Sequence, residues 1–271
     1  MNRKRYLIFA ALLAVNAHRA GAEITLSHGT YPEPKNSDRI SKWEGSAVYR
    51  NVSIKTITPV YGENDFTHEF DLTLVSPRGT QWTEAQIDEH VLKLAKTYQQ
   101  CKIKVRNIAV ISADVPAFML DMNDTGPGHF IINSAQVAYV SSMPEAWPKP
   151  VVFLTDGYAA TWAYSVASAK RTSELRGRDY NYLANTAFIS SEVNLDWYEL
   201  NGKDKTYSAL PHELAHIFNY MYVDKDGKED THSRDNFNNL MNRDTTKEND
   251  YLAPYMCDIF KASPLMRQTA R

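Results

Sequence analysis

The alternation of apolar and polar positions predicts a series of strands and helices from about residue 71 onward. Asp71-Leu72-Thr73-Leu74-Val75 has the two-residue period of a strand, and Ser76-Pro77-Arg78-Gly79 supplies a turn to stop it. Thr83 and Gln86 have capping-box spacing, and Ile87, Val91, Leu94, Ala95 and Tyr98 then recur down one face of a helix ending near Gln100. Residues 103–111, 151–154 and 186–190 read as further strands, separated by loops rich in Gly, Pro, Asn and Asp. A second helix is expected over about 208–222, where Leu210, Leu214, Ile217, Phe218 and Met221 form an apolar stripe. Pro211 is acceptable there because it lies in the first turn, and Thr206 or Ser208 can cap it.

These elements describe an α+β chain with no internal repeat and no low-complexity linker. One domain is expected over 66–271, preceded by a polar extension, 23–65, to which the pattern assigns no role. Ahead of it, Arg3, Lys4 and Arg5 precede an apolar stretch over 6–15 and the small triplet Ala20-Gly21-Ala22. That arrangement predicts a secretory signal peptide over 1–22, because the apolar stretch is too short to cross a bilayer comfortably. The expectation is a periplasmic or secreted protein with no membrane association once the signal is removed.

Composition narrows the partners. A formal charge of −2 and a pI near 6.5 give no broad cationic surface, which argues against nucleic acid and anionic lipid. The two cysteines, Cys101 and Cys257, have no metal-knuckle spacing, and in an oxidising compartment such a pair commonly closes a disulfide; the alternative is two buried free thiols.

The strongest chemical signal is His212-Glu213-Leu214-Ala215-His216. Residues four apart on a helix lie one turn above each other, so the two imidazoles can meet one tetrahedral Zn²⁺. Glu213, one position along, turns away from direct ligation but stays close enough to act as general base toward an attacking water. A catalytic zinc needs a third protein ligand and an open position. Downstream stands His232, in Asp230-Thr231-His232-Ser233-Arg234-Asp235, followed by Asn239-Leu240-Met241-Asn242.

Over about 150–260 the chain thereby resembles the metzincin clan of zinc peptidases. The resemblance implies a zincin-like α+β fold: a mixed twisted sheet, an active-site helix carrying the motif, and a mostly helical or irregular C-terminal subdomain. It implies His232 as third ligand, Met241 as the methionine beneath the metal, and 186–191 as the edge strand on which a peptide is laid. Asp235 would orient His232, or else be a solvated loop aspartate.

Two positions depart from the family pattern: Asn219 replaces its glycine and Tyr222 its third histidine. Asparagine tolerates a left-handed turn, so the chain either turns at Asn219 or continues helical through Tyr222. The polar run 223–230 then reads as an insertion that delays the third ligand. Glu248 is a rival ligand with little periodic apolar support around it. Where some relatives place an oxyanion-stabilising tyrosine this chain has Arg243, leaving Tyr207, Tyr220 and Tyr222 nearby.

Asp224, Asp226 and Asp230 around Gly227 suggest a calcium loop but lack its full spacing and terminal glutamate, so a solvated turn is preferred. His28, His68 and His90 have no ligand spacing, and His129 and Asp156-Gly157 read as turns. The leading function is an exported zinc metallopeptidase acting on peptides or proteins. The alternatives are a zinc hydrolase of another amide, such as cell-wall peptide, or a non-catalytic secreted binding protein on the same fold.

Overall fold

A computed structural model of the chain describes residues 24–26, 49–62, 65–121, 139–140, 142–157, 165–168, 184–194, 208–219, 239–241 and 250–270. The strand foreseen at 71–75 grows in both directions into β3, His68–Pro77, so the turn begins only at Arg78. It is preceded by β1, Ile24–Leu26, and β2, Arg50–Ile57, and followed by helix α1, Glu84–Gln99, and strand β4, Ile103–Asp114. Then come β5, Val151–Thr155; β6, Ser165–Ser168; β7, Thr186–Ser190; helix α2, Ala209–Phe218; helix α3, Pro254–Lys261; and the two-residue β8, Arg267–Gln268.

The strands form one mixed sheet in the order β1-β2-β4-β3-β5-β7-β6, with β8 pairing antiparallel to the start of β3. Its centre is parallel: β3 runs with both β4 and β5, and β5 runs with β7. Such strands are covered on both faces and read as continuous apolar runs, which is why all five residues of β5 are buried. Residues 23–65 thus contribute two strands, β1 and β2, with β2 antiparallel to β4.

Two corrections concern edges and ends. β7 is not the sheet edge, because β6 pairs antiparallel along it from Ser165↔Ile189 to Ser168↔Thr186. Among the described residues β6 is the outer strand on that side. A four-residue Ser-Val-Ala-Ser segment carries too little alternation to announce itself. The second helix stops at Phe218, with Asn219 as C-cap at φ −74 and ψ 65, so it neither continues through Tyr222 nor makes a left-handed turn.

Side chains sort cleanly by face. Phe70, Leu72 and Leu74 of β3, with Val152 and Leu154 of β5, meet Ile87, Val91, Leu94 and Tyr98 of α1 and Leu210, Leu214 and Phe218 of α2. On β4 the inward positions are Ile103 and Val105, then Ile108 and Val110, a change of parity made by a bulge where Phe70 pairs with Val105 but Leu72 with Ile108. The opposite face carries Val75, Ile111, Val151, Phe153 and Phe188 under Tyr49, Met119, Tyr139 and Trp147.

α1 begins as expected: Thr83 accepts from the Gln86 backbone N–H at 3.3 Å while the Gln86 side chain accepts from the Thr83 N–H at 2.9 Å. The structure also joins Cys101 to Cys257, with Cα atoms 5.1 Å apart, fastening the end of α1 to α3. Both cysteines are buried in the helix-side core. Closing a span of 156 residues removes unfolded-state entropy worth about 5 kcal/mol in the chain-entropy model. Among the described residues no helix is long and apolar enough to cross a membrane.

Candidate metal centre

α2 lies almost wholly inside the protein, with only His216 partly exposed. Its apolar residues pack on the sheet, and the Tyr98 hydroxyl of α1 donates to the Pro211 carbonyl at 3.1 Å, fixing the helix start. Ser208 occupies the N-cap position, but its side chain makes no capping hydrogen bond. The helix is therefore held in place by tertiary packing.

On this helix the His212 and His216 rings lie 4.7 Å apart and nearly perpendicular, at 79°. Their Nε2 atoms approach to 3.0 Å. His212 Nδ1 lies 2.6 Å from the Leu240 carbonyl oxygen. A carbonyl only accepts, so Nδ1 carries the proton and the Nε2 of a neutral His212 presents a lone pair. In metal-free protein, a proton on His216 Nε2 can bridge to that lone pair. Two nitrogens on one tetrahedral zinc stand about 3.3 Å apart for bonds of about 2.05 Å, close to the separation seen. The pair therefore fits two positions of a zinc shell.

Glu213, between the histidines in sequence, is 4 % exposed. Met241 and Leu240 are fully buried in the same core as Leu214 and Phe218. The Asn239 Oδ1 accepts from the Met241 N–H at 2.9 Å, closing a tight turn from which the Leu240 carbonyl reaches His212. His232, Asp235, Glu248, Arg243, Tyr207, Tyr220, Tyr222, His129 and the run 223–230 lie outside the described residues. Among the described residues no three His, Cys, Asp or Glu side chains converge on one point.

The histidines without ligand spacing have other surroundings. His90 is buried on α1, its Nε2 3.1 Å from Asn194 Oδ1 and its ring against the edge of Trp82. Burial, opposed only in part by Asn194, pushes its pKa down to about 4. His68 lies at the start of β3, with Nδ1 3.0 Å from the Thr67 hydroxyl. Asp156 is more than a turn residue. Its carboxylate accepts from the Gln81 backbone N–H at 3.0 and 3.2 Å and from the Ser191 hydroxyl at 2.6 Å, tying the entrance of α1 to the ends of β5 and β7.

No sequence signal could have singled out Leu240, since a backbone carbonyl has no residue type. Its neighbours Asn239 and Met241 were the only cue.

The sequence matches no family model and no curated protein. Among solved structures, metalloproteinase-II from Bacteroides fragilis is similar over 69 % of this chain at 13 % identity, with a TM-score of 0.41. The chain spans about half of that structure, 49 % of its length. A likeness of that strength identifies neither fold family nor chemistry.

Proposed function

We propose that this chain is an exported zinc-dependent peptidase whose metal is held by His212, His216 and His232. The observation that carries the reading is the convergence of the His212 and His216 Nε2 atoms at 3.0 Å, with the His212 proton held on the opposite nitrogen by the Leu240 carbonyl. The buried Glu213 and the fully buried Met241 of the 239–241 turn support it. Export is supported by the basic and apolar pattern of 1–22 and by the Cys101–Cys257 disulfide.

Zinc, when bound, supplies a Lewis acid that polarises a carbonyl and lowers the pKa of water. The protein's own groups do the rest. Glu213 takes the proton of the attacking water and returns it to the leaving amine. Leu240 keeps His212 in the tautomer whose lone pair is on Nε2, the nitrogen that faces His216. A peptide adds along the outer strand β6, whose partner β7 packs beside α2. Asp235 orients His232.

Glu213→Ala tests the assignment. It should keep zinc at one equivalent while peptide hydrolysis falls by roughly 10²–10⁴-fold, the usual contribution of a general base. Retained hydrolysis removes Glu213 from the chemistry, and lost zinc moves it into the metal shell.

A further inference from the structure

The ligating geometry of His212 traces back to a residue on a different helix. Gln100 is the C-cap of α1, and its side-chain amide faces the extended segment 250–252. Its Nε2 donates to the Asp250 carbonyl at 2.5 Å, and its Oε1 accepts from the Leu252 N–H at 3.3 Å. In an extended chain the carbonyl of one residue and the N–H two residues on point to the same edge. The Gln100 amide thus stands where a neighbouring strand would be.

The other edge of that segment holds the turn beneath the histidines. Leu240 N–H donates to the Tyr251 carbonyl at 2.8 Å, within a bridge between Asn239 and Tyr251. Leu240 then offers its own carbonyl to His212 Nδ1. The ion pair of Lys93 with Asp250, at 3.1 Å, holds the same segment against α1, and the Cys101–Cys257 disulfide ties the residue after Gln100 to α3, which follows the segment. An unbroken series of hydrogen bonds therefore runs from Gln100 through 250–252 and Leu240 to the imidazole.

We propose that Gln100 is a positioning residue for His212: by pairing with both Asp250 and Leu252, it holds the Leu240 carbonyl where it fixes the proton of His212 on Nδ1. The inference rests on the reading of His212 as a metal ligand. The bond to Leu240 keeps the proton on Nδ1, so that the lone pair lies on Nε2, and a loosened carbonyl releases the ring to its other tautomer and to other rotamers. Gln100 touches neither substrate nor metal.

The test compares the full-length chain with Gln100→Met, which keeps the side-chain length but cannot pair with the segment. Tyr61→Phe serves as control, because the Tyr61 hydroxyl also bridges backbone groups, accepting from the Val105 N–H at 2.8 Å and donating to its carbonyl at 3.3 Å. Two readouts are taken: the His212 tautomer in metal-free protein, from long-range ¹H–¹⁵N correlation spectra, and zinc affinity by chelator competition. Gln100→Met should spread His212 over both tautomers and lower zinc affinity about tenfold, the lower end of the range for removing support behind a ligand. Tyr61→Phe should lower the melting temperature and change neither readout.

Unchanged tautomer and affinity in Gln100→Met overturn the proposal, as does an equal loss of affinity in Tyr61→Phe. Gln100→Glu, which keeps the shape but turns an oxygen toward the Asp250 carbonyl, gives the same readouts if the methionine variant does not fold. If the wild type binds no zinc, the metal reading fails on its own, and the tautomer spectra still decide the role of Gln100.

Discussion

Helices α1 and α2, which pack on the same face of the sheet, are built on opposite principles. α1 has a reciprocal cap at Thr83 and Gln86, and only seven of its sixteen residues are buried, so it presents an ordinary polar face to water. α2 has no side-chain cap bond and buries nine of its ten residues, among them His212 and Glu213. A ten-residue helix is marginal alone, and here its stability comes from what surrounds it. A locally encoded helix thus carries the frame, and a helix defined by its neighbours carries the two histidines proposed to hold the metal.

That contrast can be broken most directly at Phe218. Its fully buried ring lies 4.7 Å from Phe70 and 5.6 Å from Tyr98, joining α2 to both β3 and α1. Phe218→Ala should cost about 3–5 kcal/mol in urea unfolding and weaken zinc binding with it, since α2 is held by its packing and this ring joins it to two other elements. Full zinc affinity in a variant destabilised by that much would show that α2 is independent of its packing.

A smaller effect comes from pH. The folded pKa of His90, about 4, lies below its ordinary 6.5, so the unfolded chain takes up the proton first. The stability tied to neutral His90 is complete above about pH 6.5 and is lost as pH falls toward 4. Between about pH 7 and pH 5 this amounts to roughly 2 kcal/mol. His90→Gln should flatten that part of the urea-midpoint profile, and an unchanged slope would assign the dependence to other groups.

The smallest effect belongs to the cap. Thr83→Ala should cost about 1 kcal/mol and leave zinc affinity unaltered, because the loss falls at the far end of α1 from Gln100. A fall in affinity there would mean that α1 transmits strain along its whole length.

The same contrast explains what was legible in the sequence. α1 could be bounded to within a residue because its cap and its period are local. The central strands showed themselves by apolar runs, though β3 and β4 extend beyond the stretches foreseen, β4 by the three residues 112–114. β2 was missed because a strand reading Arg-Asn-Val-Ser-Ile-Lys-Thr-Ile buries only Val52 fully. β6 and β8 are too short to carry a period, and the edge role of 186–191, which came from the resemblance alone, passes to β6 among the described residues. Of the candidate site, His212, Glu213 and His216 were visible as side chains at helical spacing. The Leu240 carbonyl and the Gln100 amide were not, since one is backbone and the other acts across a sequence distance of about 150 residues on groups that every residue has.

Whether one zinc ion sits between His212 and His216 is decided by crystals grown with zinc and measured across its absorption edge. The expected anomalous map has a single strong peak about 2.0–2.1 Å from the Nε2 atoms of both histidines, with the His212 Nδ1 still on the Leu240 carbonyl. A fully metallated crystal with its peak elsewhere, or zinc refused at equimolar concentration, would remove these two histidines from the metal site.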